Sequence, residues 1–185
     1  MSGVDGYYPP PGNSFSIRIG TSKLLVVFLI AILFLYLFYT YPRRCVVGME
    51  GIEFKSGNGS FEKKVSVKID GWYSKKLSGH EFEGSMFIND NELREVNLKF
   101  DKYGNSSIIS YREDKGEYDF LGELFVDGCF EKLAICVFEK DIEKAGASGW
   151  SSKGGLVIAA PAENREKALK MATQLIGKKH KINLE

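Results

Sequence analysis

An uninterrupted apolar stretch at residues 24–41 is the strongest constraint on what this chain can fold into. It reads LLVVFLIAILFLYLFYTY, carries no charged residue, and lies between Lys23 and a Pro-Arg-Arg sequence. A helix rises about 1.5 Å per residue, so this one extends roughly 27 Å, close to the thickness of the hydrocarbon core of a bilayer. A buried core helix is the alternative, but such a helix normally carries a polar stripe. The stretch therefore predicts a transmembrane helix, which we assign to residues 23–42.

The sequence that follows the stretch indicates that this helix stays attached as an anchor. A cleavable signal peptide needs small residues at its cleavage site. The chain instead continues TYPRRC, with no Ala-x-Ala site and without the small residues that precede a lipidated cysteine, so Cys45 is not expected to become an amino terminus. We therefore expect a single-pass protein of the lipid bilayer, held by a signal-anchor.

Positive charges near both ends of the helix leave its orientation open. Arg18 and Lys23 precede the helix, whereas Arg43, Arg44 and Lys55 follow it. Lysine and arginine close to a membrane helix favour the cytoplasmic side, so the two ends compete almost equally. The residues alone do not decide on which side of the membrane the carboxyl-terminal domain lies.

Composition divides the rest of the chain into three segments. Residues 1–22 hold three consecutive prolines among Gly, Ser and Tyr, which is typical of a disordered tail. Residues 43–60 are rich in glycine and are predicted to form a stalk, with at most a short strand around residues 51–54. Residues 61–185 are predicted to form one β domain with its own core.

Alternation of apolar and polar residues predicts the fold class of this domain. Val65, Val67 and Ile69 alternate with Ser66, Lys68 and Asp70. This is the pattern of a strand with one buried face and one solvent-exposed face. Six further runs continue the series of predicted strands, and Phe120 is expected on the same face as Leu124 and Val126. The predicted strands lie within residues 63–73, 80–89, 93–100, 106–113, 118–126, 131–139 and 154–161. About seven short strands joined mostly by turns predict a mainly β domain, an antiparallel meander closed as a barrel or folded as a sandwich.

A carboxyl-terminal helix is predicted to cover part of the sheet. Pro161 suits the first turn of a helix, and Gly177 suits its end. Apolar residues recur at helical spacing on one side, whereas the opposite side is polar. The apolar side consists of Ala168, Leu169, Ala172, Leu175 and Ile176, and the polar side of Arg165, Glu166, Lys170 and Thr173.

Charge and residue content argue against several classes of function. Lys and Arg number 25 against 24 Asp and Glu, so the net charge of +1 gives no electrostatic basis for nucleic-acid binding. The two histidines, His80 and His180, are far apart and no CxxC pair occurs, so neither a metal site nor a cofactor is predicted. Cys129 and Cys136 flank a predicted turn, where they are either free thiols or a disulfide. The glycine-rich segment 146–155 matches neither a phosphate-binding loop nor a nucleophile elbow.

Three aromatic residues are the candidate binding residues. Trp150 lies in the Gly/Ser segment 146–155, where neighbouring small side chains contribute little burial. Its indole either folds back onto the domain or is available to a partner. Trp72 and Tyr73, at the end of the first strong strand, present the same two alternatives. No catalytic residue is assigned, although a facing carboxylate pair such as Asp119 and Glu123 is a type of site that performs acid–base chemistry.

Four segments carry a resemblance to a known group of proteins. These are KVSVKIDGWYS at 64–74, FEGSMFI at 82–88, FLGELFVDGCFEKLAICVFE at 120–139 and LVIAAPAENREKALKMATQL at 156–175. With them the chain resembles uncharacterised single-pass membrane proteins of Gram-positive, Bacillus-like bacteria. The resemblance implies a bacterial protein of the cytoplasmic membrane whose β domain is extracytoplasmic. It implies no activity, substrate or catalytic residue.

An anchor joined to a β domain without a catalytic motif suggests an interaction module. We expect it to bind a component of the cell wall or another protein of the cell envelope, and no nucleic acid. The alternatives are a membrane-tethered hydrolase that uses carboxylates at one end of the sheet, and an accessory subunit of a membrane complex. The helix has no Gly or Ser and only one Ala between residues 24 and 41, so it lacks the small residues that allow close helix packing in membranes.

Overall fold

The computed structural model describes residues 20–101, 103–113, 115–140, 148–180 and 184. The chain divides into two compact units, Met1–Phe38 and Tyr39–Glu185. Most of the segment predicted as a disordered tail lies outside the described residues. Helix α1 spans Thr21–Thr40, two residues earlier than the predicted span. Its mean hydropathy over Ser22–Thr40 is 2.4, so α1 is long and apolar enough to cross a membrane.

The second unit is an antiparallel β barrel with a helix on its outside. Within the described ranges, ten strands and one helix follow α1 along the chain. They are β1 (Arg43–Lys55), β2 (Asn58–Lys76), β3 (Gly79–Ile88), β4 (Asn91–Lys99), β5 (Ser106–Arg112), β6 (Tyr118–Asp127), β7 (Lys132–Val137), β8 (Glu139–Lys140), β9 (Ser148–Gly149), β10 (Leu156–Ala160) and α2 (Arg165–Gly177). The two shortest strands, β8 and β9, pair only with each other.

Eight strands close the barrel in the order β1-β10-β7-β6-β5-β4-β3-β2. Strands β1 to β7 form a meander in which each pairs with the next, and β10 inserts between β7 and β1. The prediction of a mainly β antiparallel meander with a carboxyl-terminal helix is confirmed, and the structure selects the barrel over the sandwich. Closure removes the exposed edges that an open sheet of these strands would have.

The start of the barrel differs from the predicted domain boundary. Residues 43–60 were expected to form a stalk, but β1 occupies most of that segment and pairs with both β2 and β10. The sequence signal was weak because three glycines interrupt the alternation of apolar residues between positions 48 and 57. Gly51 nevertheless belongs in the strand, since a Cβ there would lie 2.5 Å from the Ala159 carbonyl oxygen. The barrel therefore contains eight strands instead of about seven.

Side chains fill the inside of the barrel. The predicted inward residues of the first strong strand, Val65, Val67 and Ile69, are at most 1% exposed. The Phe82 ring is also fully buried and lies over Gly71 and Gly84, which face each other across β2 and β3. A Cβ on Gly71 would come within 2.6 Å of Phe82 Cζ, so these two glycines make the space that the ring occupies.

A β-bulge reverses one predicted orientation. Ile109 on β5 pairs with Gly122 on β6, but the next residue, Ser110, pairs with Phe120, so the register skips Leu121. Because one extra residue on a strand shifts the following side chains to the opposite face, Phe120 points outward and is 54% exposed. Leu121 packs against the interior cluster instead.

Helix α2 covers the outer face of four strands, β1, β6, β7 and β10. A second apolar cluster fills this interface, so these strands are buried on both faces where a single buried face had been expected. The cluster contains Ile52, Phe54, Phe125, Ala134, Cys136, Val157, Ala159, Ala162, Ala168, Ala172, Leu175, Ile176 and Leu184. The predicted apolar side of α2 is the side that packs here, with Leu169 partly buried.

The ends of α2 differ from the prediction in two details. Pro161 precedes the helix, and Asn164 is the amino-terminal cap, whose side-chain oxygen accepts a hydrogen bond from the Lys167 amide at 3.0 Å. Asparagine is among the residues preferred at this position. Arg165, expected on the polar side, is partly buried, and its guanidinium carbon lies 5.7 Å from the centre of the Phe54 ring.

Candidate functional site

The three aromatic candidates occupy three different environments. Trp72 and Tyr73 are neighbours on β2, so their side chains point to opposite faces of the sheet. Trp72 lies on the outside of the barrel and is 55% exposed, whereas Tyr73 lies inside and is 7% exposed. Trp150 is partly buried and packs against the cluster beneath α2. The structure does not bring these residues together into one site.

Tyr73 is part of the barrel interior. Its hydroxyl oxygen lies 2.5 Å from His80 Nδ1, and its ring makes edge-to-face contacts with Phe100 and Phe130. Burial, together with the nearby Cys129 thiol, raises the pKa of Tyr73 to about 12. The phenol therefore stays neutral at physiological pH and already has a hydrogen-bond partner. This environment fits the alternative in which Tyr73 folds into the domain.

The segment that carries Trp150 is held to the β1–β2 turn. The Ser56 amide donates to the Gly155 carbonyl at 3.1 Å, and the Ser56 hydroxyl donates to the Ser152 carbonyl at 2.5 Å. The Gly155 amide in turn donates to the Ser151 carbonyl at 2.8 Å. Ser56 itself is fully buried. The described part of the Gly/Ser segment is thus ordered by backbone hydrogen bonds, which its small side chains did not predict.

Gly155 leaves the space in which the Trp150 indole lies. A Cβ on Gly155 would be 2.5 Å from Trp150 Nε1 and 2.3 Å from the Ser151 carbonyl oxygen. No side chain fits at that distance, so glycine is required for the indole to approach the backbone here. The Trp150 Nε1 atom is buried and has no hydrogen-bond partner among the described residues. A buried N–H without an acceptor costs about 1 to 3 kcal/mol.

A pocket opens beside Trp150, between the barrel and the end of α2. Its volume is about 470 Å³, within the range of small-molecule sites. Outward-facing residues of β6 and β7 form its base, the last turn of α2 forms one side, and the Trp150 segment forms the other. The lining residues are Glu123, Phe125, Cys136, Phe138, Trp150, Ser151, Ser152, Ile176 and His180. The pocket therefore joins an apolar base to a rim of hydroxyl, carboxylate and imidazole groups.

Glu123 is the carboxylate of this rim and is engaged by two basic groups. Its oxygens lie 2.8 Å from Lys179 Nζ and 3.4 Å from His180 Nε2. The His180 ring also meets Phe125 edge to face, at 5.7 Å between ring centres. Asp119, considered with Glu123 as an example of a carboxylate pair, is not among the described residues that line the pocket. Among the described lining residues, there is thus no pair of convergent carboxylates of the kind that acid–base hydrolysis requires.

The Cys136 thiol at the base of the pocket is not activated. Burial, with a further contribution from Glu123, raises the pKa of Cys136 to about 12. A thiol with such a pKa is protonated at neutral pH, and only the thiolate is an effective nucleophile. Within the described ranges, no group of three or more His, Cys, Asp or Glu residues is arranged to hold a metal ion. The described lining of the pocket thus presents an engaged carboxylate and a protonated thiol.

Comparison with protein-family models, curated proteins and solved structures finds no match to this chain. The resemblance to membrane proteins of Bacillus-like bacteria therefore stays a prediction. Evidence for a function comes from the geometry of the site itself.

Sequence reasoning identified Trp150 but missed the rest of the pocket. Glu123 was considered only as one member of a carboxylate pair with Asp119, and Cys136 only as a free thiol or a disulfide partner. The continuous apolar runs LAICVF and LVIAA were the available signal, because strands covered on both faces lose the alternation of apolar and polar residues.

Proposed function

We propose that this chain is a single-pass membrane protein whose β barrel is an interaction module on the outer side of the cytoplasmic membrane. The pocket beside Trp150 is the binding site in this proposal. An apolar helix of transmembrane length precedes the barrel in the chain, and side chains fill the barrel itself. A ligand therefore binds outside the barrel, against α2 and the Trp150 segment.

The Trp150 N–H, which is buried and has no partner in the described part of the chain, is the observation that carries this proposal. A ligand with an apolar body and a hydrogen-bond acceptor would pack on Phe125 and Phe138 and accept from Nε1, which relieves the cost of the buried donor. Ser151 and Ser152 offer further polar groups at the rim. Glycan–peptide fragments of a bacterial cell wall have this mixed chemistry, as do peptide segments of envelope proteins. We favour the wall component because the pocket is small and partly polar.

A hydrolase is the second class considered, and two observations count against it. Glu123 is the one carboxylate among the described lining residues, and Lys179 and His180 already engage it. Cys136, the one thiol in that lining, has a pKa raised to about 12 by burial. Neither group is prepared to activate water or attack a carbonyl carbon.

Tryptophan fluorescence of the full chain tests the proposal directly. The chain has two tryptophans, so the Trp72→Phe variant leaves Trp150 as the only indole. We expect soluble glycan–peptide wall fragments, added to this variant in detergent micelles, to change the Trp150 emission in a saturable way. Calorimetry should then give weaker binding for Trp150→Ala and unchanged binding for Trp72→Ala, which serves as the matched control. Equal affinity of the Trp150→Ala variant and the wild-type chain would contradict the assignment of the pocket.

The orientation in this proposal rests on the resemblance, because the flanking charges compete. Protease added to intact spheroplasts should digest the β domain while a cytoplasmic marker protein stays intact. A domain that resists protease until the membrane is permeabilised would instead lie in the cytoplasm.

A further inference from the structure

The structure brings together two cysteines that are far apart in the sequence. Cys45 lies near the start of β1, and Cys129 lies in the turn between β6 and β7. Their Sγ atoms are 3.2 Å apart, and the Cys45 thiol also faces the Cys129 carbonyl oxygen at 3.8 Å. Both are free thiols here, and so is Cys136. Cys136 belongs to the cluster beneath α2, whereas Cys45 belongs to the barrel interior.

We propose that Cys45 and Cys129 form a disulfide bond that ties the first strand of the barrel to the β6–β7 turn. A disulfide has an S–S distance of about 2.05 Å, so the two sulfurs need to approach by only about 1.2 Å. The bond closes a long covalent loop that runs through β1 to β6. Such a loop constrains the unfolded chain strongly and the folded chain little.

The backbone on both sides of the pair is held in place. Cys45 pairs with Gly71 in the β1–β2 ladder and is 6% exposed. The β6–β7 turn is fixed by Phe130, which is fully buried and lies 5.1 Å from Phe82 between ring centres. Phe130 adopts a φ of 60°, which is an unfavourable backbone conformation for residues other than glycine. Burial of its ring stabilises this conformation here. The two thiols are thus positioned next to each other before any bond forms, which favours reaction between them.

The two cysteines differ in access, and this difference sets the order of the chemistry. Cys129 is exposed, so its thiolate attacks the disulfide of an oxidant such as glutathione disulfide or an oxidised dithiol protein. One bond forms between Cys129 and the donor sulfur, and the donor S–S bond breaks to release one thiolate. The Cys45 thiolate then attacks Cys129 Sγ, forms the protein disulfide and releases the second donor thiolate. The two protons lost by the cysteines end on the two released thiols.

Burial of Cys45 predicts that the second step is the slower one. Burial, and then the hydrogen bond with Cys129, raises the pKa of Cys45 to about 12. Little thiolate is present at neutral pH, so the reaction is best observed at mildly alkaline pH. The Cys136 thiol is buried under α2 and remains outside this exchange.

Thiol counting on the full chain tests the proposal. The protein in detergent micelles is exposed to glutathione disulfide, denatured without reductant, and labelled with a maleimide polymer that shifts its mobility on a gel. We expect one label, on Cys136, without reduction and three labels after reduction. The Cys136→Ala variant should carry no label without reduction and two labels after reduction. Peptide mass mapping should identify the Cys45–Cys129 link. Any of three results would overturn the proposal. They are three labels without reduction, a stable glutathione adduct on Cys129 beside a free Cys45, and a disulfide that involves Cys136.

Thermal unfolding tests the stabilising role of the bond. The oxidised chain should unfold about 5 to 15 °C above the reduced chain, as expected for the closure of a long loop in a domain of this size. The Cys129→Ser variant should show no difference between oxidising and reducing conditions. The wild-type chain could instead unfold at the same temperature in its oxidised and reduced forms, even though mass mapping detects the disulfide. This result would overturn the stabilising role of the bond between β1 and the turn.

Discussion

Removal of β1 is expected to unfold the barrel, although the sequence placed most of this strand outside the domain. Residues 41–185 retain all eight barrel strands, whereas residues 61–185 lack β1 and the first residues of β2. Without β1, the facing edges of β2 and β10 lose their partners and the barrel opens. Helix α2 also loses part of the surface on which it packs.

The cost of this truncation follows from two side chains of β1. Ile52 and Phe54 are both 0% exposed and belong to the cluster under α2. Truncation of a buried isoleucine to alanine costs about 2 to 5 kcal/mol, and truncation of a buried phenylalanine about 3 to 5 kcal/mol. Together these two side chains stabilise the fold by about 5 to 10 kcal/mol, which is comparable with the entire stability of a typical domain, about 5 to 15 kcal/mol. The lost strand pairing adds to this cost.

Unfolding experiments on the two fragments measure this effect. Residues 41–185 should be monomeric, show near-ultraviolet circular dichroism, and unfold in one cooperative transition. Residues 61–185 should lack that transition, bind a hydrophobic dye, and aggregate through the open strand edges. A cooperative transition of residues 61–185 within a few degrees of that of residues 41–185 would refute the integral role of β1.

Point variants in residues 41–185 separate side-chain burial from strand pairing. Ile52→Ala and Phe54→Ala should each lower the free energy of unfolding by the amounts given above. Val46 provides a matched control, because it lies on the same outward face of β1 but is 63% exposed. Val46→Ala should change the free energy of unfolding by less than about 0.5 kcal/mol. Equal effects of Val46→Ala and Phe54→Ala would contradict the assignment of the buried interface.

Three further predictions concern single residues. Trp150→Ala should lower the free energy of unfolding by about 1 to 3 kcal/mol in urea titrations, whereas Trp72→Ala should change it by less than about 0.5 kcal/mol because Trp72 is 55% exposed. Asn164→Ala removes the cap that accepts from the Lys167 amide and should cost about 1 kcal/mol; an unchanged urea midpoint would exclude a stabilising cap. The folded-state pKa of Tyr73 is raised from 10.0 to about 12, so its contribution to stability is complete below pH 10 and is lost as the pH rises to about 12. Tyr73→Phe should therefore reduce the fall in stability over that interval, and an identical pH profile would contradict the shift.

Local patterns in the sequence were sufficient to predict the elements with regular periodicity. The apolar helix was recognisable from its length and lack of charge, because a membrane requires about 20 consecutive apolar residues irrespective of the rest of the fold. Inward residues such as Val65, Val67 and Ile69 were recognisable because side chains on a strand alternate between its two faces. The buried side of α2 was recognisable for the corresponding reason, with a period of 3.6 residues.

The tertiary structure alone decided how the barrel closes and what lies on its outside. The pairing of β1 with β10 joins segments that are far apart in the chain. Close packing of these two strands requires a glycine at position 51, and this glycine weakened the local sequence signal for a strand. Helix α2 covers the outer faces of β6 and β7, and it thereby buries Phe125 and Cys136, which lie on those faces. A bulge exposed Phe120 by shifting the register by one residue.

The candidate sites depend on the same long-range closure. The Trp150 pocket forms where the hydrogen-bonded segment that carries Trp150 meets two strands and the end of α2, and neither the strands nor the helix belong to that segment. The sequence suggested that Cys129 and Cys136 are neighbours because they flank one turn. In the barrel, Cys129 instead lies beside Cys45, because closure brings the start of β1 to the β6–β7 turn. Alternation along a strand determines which side chains point inward, but only pairing between distant strands determines which of them meet.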